Sequence, residues 1–211
     1  MITPSAAPPD GVPPTPGAGT DLRSRTRRAL QAEITAIAFD LFDRQGFEAT
    51  TINQIAAAAG LSRSSFFRYF ATKEDVVLLG VEERGLVLRD ALAARPPDET
   101  PWQALRRALE VIVRLNSENP DRVLRLSRMM VETPSLQARQ MQREDTWARL
   151  LAPEIARRLG LSPQDTTDPR PGALASAALG CFHASMRVWR ESGGKADLAA
   201  LLDQAMSALS T

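Results

Sequence analysis

Residues 46–77 read GFEATTINQIAAAAGLSRSSFFRYFATKEDVV, and the spacing of capping, small and aromatic residues in this stretch decides the fold. Thr51 stands as an N-cap before Ile52, with Gln54 at the capping-box position, so a short helix is predicted over 52–59. Gly60-Leu61-Ser62 breaks the pattern. Gly60 can take the positive φ of a tight turn, and Ser62 can cap a second short helix over 63–70. Thr72, followed by Asp75, opens a longer helix from 73 to about 94. Two short helices three residues apart suit a helix-turn-helix. Ala56, four positions before Gly60, is the small residue such a crossing needs, and Ile55, Ala59, Leu61 and Phe66 would fill the joint. The second helix then shows Arg63, Ser64, Phe67, Arg68 and Tyr69 outward, a set of donors and rings suited to phosphates and base edges. An arginine that reaches a guanine edge discriminates by about 1–3 kcal/mol. Short capped helices with alanine-rich faces also occur in all-α proteins without DNA, so spacing alone leaves both readings open.

Upstream, a helix is predicted over 24–45, where Leu30, Ile34, Ile37, Ala38, Leu41 and Phe42 form one continuous stripe and Gly46 ends the run. Residues 1–20 hold six prolines, three glycines and no lysine or arginine, a composition read as a disordered tail. Downstream, Thr100-Pro101-Trp102-Gln103, Asn119-Pro120 and Thr133-Pro134 each restart a helix with a cap and a proline at the first helical position. Pro153 is expected to kink the third of these, and a polar loop follows over 160–172. Two further helices, over 173–191 and 196–209, finish the chain. No alternating β-branched segment interrupts this periodicity. The expected fold is all-α with about nine helices. A three-helix helix-turn-helix domain over 21–75 precedes a helical ligand-binding and dimerisation domain over 76–211.

Composition narrows the function. The 211 residues carry 26 basic and 25 acidic side chains and are 44% hydrophobic, an ordinary globular profile. No apolar run approaches the roughly 18 residues of a membrane span, and the first residues lack the basic start and apolar core of a secretory signal. One cysteine, Cys181, excludes an internal disulfide and fits a reducing cytoplasm. With His183 the only histidine, no site of several Cys or His metal ligands can form, and no cofactor motif is present. Cys181 and His183 are two positions apart on one helix, roughly 200° around it, so they cannot act as nucleophile and base. Residues 22–73 hold eight basic and four acidic groups, a net +4 that falls to +1 when Asp21, Glu74 and Asp75 are included. The placement of Arg63, Arg68 and Lys73 on one motif is therefore more informative than the net value.

The 46–77 stretch resembles the DNA-binding domain of the TetR family of bacterial transcriptional regulators. Phe47 after Gly46, Ala49-Thr50-Thr51, Ile55-Ala56, Ala59-Gly60-Leu61-Ser62, Phe67-Arg68-Tyr69-Phe70 and Lys73-Glu74 carry the likeness, which spans 24–80. It implies that Ser62, Arg63, Ser64, Ser65, Phe67, Arg68 and Tyr69 form a recognition surface on double-stranded operator DNA. Thr51 and Lys73 would then be phosphate anchors, in keeping with the attraction of helix N-termini and ammonium groups for phosphate. Phe67 departs from the tyrosine many members carry and lacks its hydroxyl. Arg23, Arg25, Arg27 and Arg28 either reach the neighbouring groove or are a solvated helix start.

Because one recognition helix covers few base pairs, such proteins work as dimers on repeated half-sites. The expected homodimer interface comprises a small-residue face, Ala177, Ala178, Cys181, Ala184 and Ser185, with the apolar stripe Leu201, Leu202, Met206 and Leu209. Packing of these stripes inside the monomer is the alternative. The resemblance also implies an enclosed ligand. Trp102, Leu126, Met129, Met130 and Trp147 are candidate walls, with Leu151, Phe182, His183 and Met186, although each could equally be plain core. The pieces Glu132–Leu136, Trp147, Ala156–Gly160 and Trp189 resemble a subgroup associated with acyl-CoA-like ligands, the mycofactocin-system regulators among them. The reading is a cytoplasmic, nucleoid-associated repressor, not an enzyme, released from its operator by a small apolar or acyl-CoA-like effector. A helical DNA-binding or interaction protein without small-molecule control is the alternative.

Overall fold

The computed structural model describes residues 18–209, which form nine α-helices and no strand. They are α1 (Ala18–Gln45), α2 (Ile52–Ala58), α3 (Arg63–Phe67), α4 (Lys73–Ala93), α5 (Pro101–Ser117), α6 (Pro120–Glu132), α7 (Pro134–Arg158), α8 (Arg170–Glu191) and α9 (Leu198–Ser207). Of the segment 1–20, residues 1–17 lie outside the described residues, and 18–20 already belong to α1.

The predicted caps form at α2 to α6 but not at α7. Thr51 and Gln54 exchange capping-box bonds at α2, Thr72 and Asp75 at α4, and Thr100 and Gln103 at α5. Ser62 accepts from the Ser65 amide to open α3. Thr133 makes no side-chain cap at α7. Gly60, at φ +66°, closes α2, with Leu61 N–H bonding Ala56 C=O at 2.8 Å and Gly60 N–H bonding Ala57 C=O at 3.1 Å. That arrangement needs a left-handed residue, which glycine adopts without a Cβ clash.

Two apolar cores share α4. The first joins Ile34, Ala38 and Phe42 of α1 to Ile55, Ala56, Phe66, Phe70 and Val76–Leu78, and it also takes in Met130 of α6 and Leu136 of α7. The second gathers Leu88 and Leu92 with the inward faces of α5, α7, α8 and α9. The expected boundary at 75/76 therefore falls within the first turn of a helix that belongs to both cores. Polar ties reinforce the junction: Arg125 pairs with Asp43 at 3.0 Å, Arg139 with Asp75, and Ser135 donates to Glu74 at 3.2 Å. At the far end of α4, the Arg158 guanidinium donates to the carbonyls of Leu92, Arg95 and Pro96, tying α7 to the last turn of α4 and the loop that follows.

Candidate nucleic-acid interface and internal cavity

α2 and α3 cross at the joint predicted from their spacing: Ile55, Ala56 and Phe66 are buried there. The opposite face is open. Thr51, Ser62, Arg63, Ser64 and Arg68 are exposed, and Phe67 keeps 43% of its surface. Arg63 lies 5.6 Å from the Phe67 ring centroid and donates to Asn53 Oδ1 at 3.3 Å, so α2 holds the guanidinium on the exposed face of α3. Asn53 was not marked by the sequence, which offers only its exposed place in the first turn of α2. Ser65 is half-buried and engaged with Ser62, whose hydroxyl lies 3.0 Å from its own.

α3 is shorter than predicted. It ends at Phe67, and Arg68 and Tyr69 lie in the turn that follows. The turn brings them to the start of α1, where Arg23, Thr26, Arg27 and Leu30 complete a basic groove with Arg68 and Tyr69. Arg27 stands 5.9 Å from the Tyr69 ring centroid, and Gln31 donates to the Tyr69 carbonyl at 3.2 Å. Arg23 and Arg27 thus line one groove with Arg68 and Tyr69, a placement their sequence position left open.

Lys73 is placed differently from the other candidates. Its ammonium donates to the Phe47 carbonyl at 2.9 Å and to those of Glu48 and Thr50 at 3.4 Å, lies 4.3 Å from the Phe47 ring centroid, and pairs with Glu48 at 3.6 Å. With 18% of its side chain exposed, it clamps the α1–α2 loop.

Between α4, α5, α6, α7 and α8 lies a cavity of about 150 Å³. Six predicted wall residues meet there: Leu126, Met130, Trp147, Phe182, His183 and Met186. Three do not. Leu151 is packed inside the second core, Met129 packs against the first, and Trp102 lies on the α5–α9 side with its indole donating to the Met206 carbonyl at 3.3 Å. The wall also includes Val81, Arg84, Ile112, Asn116, Ser127 and Arg190, which sequence reasoning missed. Asn116 had a signal, because it continues the apolar stripe of Leu105, Leu109 and Ile112 with a polar residue. Arg84 had none, since α4 is apolar on more than one side. Trp147 is pressed against Gly85, where an added Cβ would sit 2.5 Å from the indole nitrogen.

Of the expected interface residues, Ala178, Cys181, Ser185, Leu202 and Met206 are buried within the protomer. Burial pushes the Cys181 thiol up from its ordinary value, and its sulfur reaches the Ala205 carbonyl at 3.5 Å. Ala177, Ala184 and Leu201 are half-buried and Leu209 is 58% exposed. The open face of α8 runs one step around the helix from the predicted one, through Ala173, Ser176, Ala177, Gly180, Ala184, Arg187 and Val188.

Among the described residues no helix is long and apolar enough to cross a membrane. Residues 34–79 match the family model described as bacterial regulatory proteins, tetR family, and residues 99–211 match that of the MftR C-terminal domain. The chain is 34% identical over 158 residues to the HTH-type transcriptional regulator TcmR of Streptomyces glaucescens, covering 72% of this chain and 70% of that one. It is 29% identical over 165 residues to MftR of Mycobacterium tuberculosis, whose name assigns it to mycofactocin biosynthesis, covering 78% and 82%. FadR of Thermus thermophilus, a TetR-family repressor solved with lauroyl-CoA, superimposes with a TM-score of 0.55 at 25% identity, covering 85% of this chain and 92% of that one. With its helix-turn-helix and its C-terminal half both matched, the chain belongs to the TetR family and is a DNA-binding transcriptional regulator.

Proposed function

We propose that this regulator is a cytoplasmic homodimeric repressor, released from operator DNA on the nucleoid by a small apolar or acyl-CoA-like effector held in the cavity. It works by binding and not by turnover. One observation carries the reading: Met130 lines the cavity and is also part of the apolar core under the helix-turn-helix. An effector that displaces the Met130 wall therefore moves a packing element of the DNA reader. Leu126 supports the same route, lining the cavity while packing on that core. Val81 and Arg84 bring α4, whose first turns are in the reader core, to the opposite wall. An effector that prefers one arrangement of these helices shifts the population toward it, and two copies then lose the half-site spacing. The lauroyl-CoA of the Thermus FadR structure supports an acyl-thioester among the candidate effectors.

The DNA arm is tested by a gel shift on the operator. Substituting Arg68→Ala together with Tyr69→Ala is expected to abolish the shifted band while sedimentation still reports a dimer; unchanged operator affinity would sink the assignment. The effector arm is tested by melting-temperature screening with acyl-CoAs and lipophilic compounds. A compound that raises the melting temperature should also weaken operator binding. If none does either, a DNA-binding module without small-molecule control replaces this reading.

A further inference from the structure

The cavity holds polar groups that its apolar packing leaves unused. Asn116 is 2% exposed, and its side-chain oxygen has no hydrogen-bond partner. Its amide N–H reaches only the Met186 sulfur, at 3.5 Å. Turning the amide over would leave the NH₂ group unpaired instead, so one polar atom of this wall lacks a partner in either orientation. The Trp147 indole N–H, in a residue 7% exposed, is also unpartnered, although its nitrogen packs against Gly85 and is not shown to face the cavity. Such atoms are few in packed interiors, and each calls for a partner such as a water, an ion or a ligand group.

The charges point the same way. Arg84 is half-buried between the cavity and the adjoining outer groove, lining both. Among the described residues it has no acidic partner. Burial, and then the neighbouring Arg122 cation, hold its guanidinium below the usual arginine value, yet it stays protonated at neutral pH. Glu83 and Glu118 line the outer groove with Arg122 but form no ion pair with Arg84. Arg190, on the α8 wall, donates to the Ser127 hydroxyl at 3.1 Å. A half-buried cation facing a second cation is stabilised by an incoming anion.

We propose that the cavity is built for a compact, ring-sized apolar acid, with its carboxylate on Arg84, its ring among Trp147, Phe182 and Met186, and a polar substituent at Asn116. This rests on the ligand-controlled reading above and narrows it. The size favours one ring in the enclosed part: about 150 Å³ holds a body the size of benzene, and the carboxylate arm would extend toward Arg84, where the cavity adjoins the outer groove.

Calorimetric titration of the full chain with 3-phenylpropanoate, its neutral isostere 3-phenylpropanamide, laurate and lauroyl-CoA tests this. The acid should bind roughly tenfold or more tighter than the amide, the factor one charge-assisted hydrogen bond supplies. Arg84→Met should erase that difference and Arg84→Lys should keep part of it. Asn116→Leu should raise the melting temperature, because it removes an unpaired buried polar atom, and should erase any preference for 3-(3-hydroxyphenyl)propanoate over 3-phenylpropanoate. Equal binding of acid and amide by the unsubstituted protein overturns the proposal, whatever the variants' stability. So does an acid affinity unchanged in folded Arg84→Met. If lauroyl-CoA binds and releases the operator while the small acids are inert, this inference fails and the ligand-controlled repressor stands. If no probe of either kind changes the melting temperature or operator binding, both fail.

Discussion

Lys73 and Arg68 show how two cations of one motif divide their work. Lys73 spends its donors on the carbonyls of the α1–α2 loop, whereas Arg68 lines the open groove with Tyr69 and Arg27. Hydrogen bonds from a charged donor contribute about 1.5–3 kcal/mol. Lys73→Met is accordingly expected to cost about 2 kcal/mol and to lower the melting temperature by roughly 4–8 °C for a chain of this size, read by calorimetry. Arg68→Ala should leave the melting temperature in place and lower operator affinity. A Lys73→Met protein that melts normally would return Lys73 to a pure phosphate contact. Both residues carry the charge a sequence reader looks for. Their roles differ because the chain near Phe47 folds back under one of them, a fact of long-range geometry.

Among the elements, α4 and α6 would carry the proposed link from cavity to reader, and on α4 Gly85 packs tightly against Trp147. A methyl group there would sit 2.5 Å from the Trp147 nitrogen, so the indole must move. Glycine to alanine in a helix interior gains up to about 1 kcal/mol, but overpacking typically costs about 1–3 kcal/mol. Gly85→Ala is thus expected to be net destabilising and to shift the tryptophan emission. The same variant should weaken effector binding, measured by titration, since Trp147 lines the cavity. Helix starts were legible to the residue where a side-chain cap marks them, at Thr51, Ser62, Thr72 and Thr100, because capping is a local bond between neighbours; the starts of α1, α8 and α9, predicted at 24, 173 and 196, fall at 18, 170 and 198. The end of α3 was not legible either, since Arg68 and Tyr69 leave the helix to reach α1.

At the scale of the whole molecule, the outward strip of α8 bears on assembly. Gly180 is exposed, and a Cβ built on it meets nothing within 4 Å. Gly180→Arg should therefore be harmless to the protomer. In the proposed dimer it stands beside Ala177 and Ala184, so the substitution should yield a monomer by sedimentation and abolish high-affinity operator binding. A Gly180→Arg dimer would move the interface elsewhere. Four solvent-screened carboxyls held below their ordinary range add a small acid-sensitive contribution: Glu99 by a hydrogen bond from Arg95, Asp203 by Arg106, Asp168 by Arg170 and Asp165 by the Thr167 hydroxyl. Lowered folded-state values mean the contribution is complete above the unfolded range near pH 4 and is lost as the pH falls through the folded values. The melting temperature should fall with acid below about pH 4, and Arg106→Gln should make that fall shallower.

By itself the amino-acid sequence determined the helical class, the two short helices about Gly60, their caps, the outward residues of the reader and the family. These rest on interactions within a few positions, on periodicity and on motif, which a linear reading contains. Only the tertiary structure decided which of two equivalent faces of α8 is buried. Likewise it set Leu151, Met129 and Trp102 apart from the cavity and brought Arg84 and Asn116 into it. The physical reason is the same in each case. An apolar stripe states that a face is covered but not by what, and the partner is chosen by helices dozens of residues away.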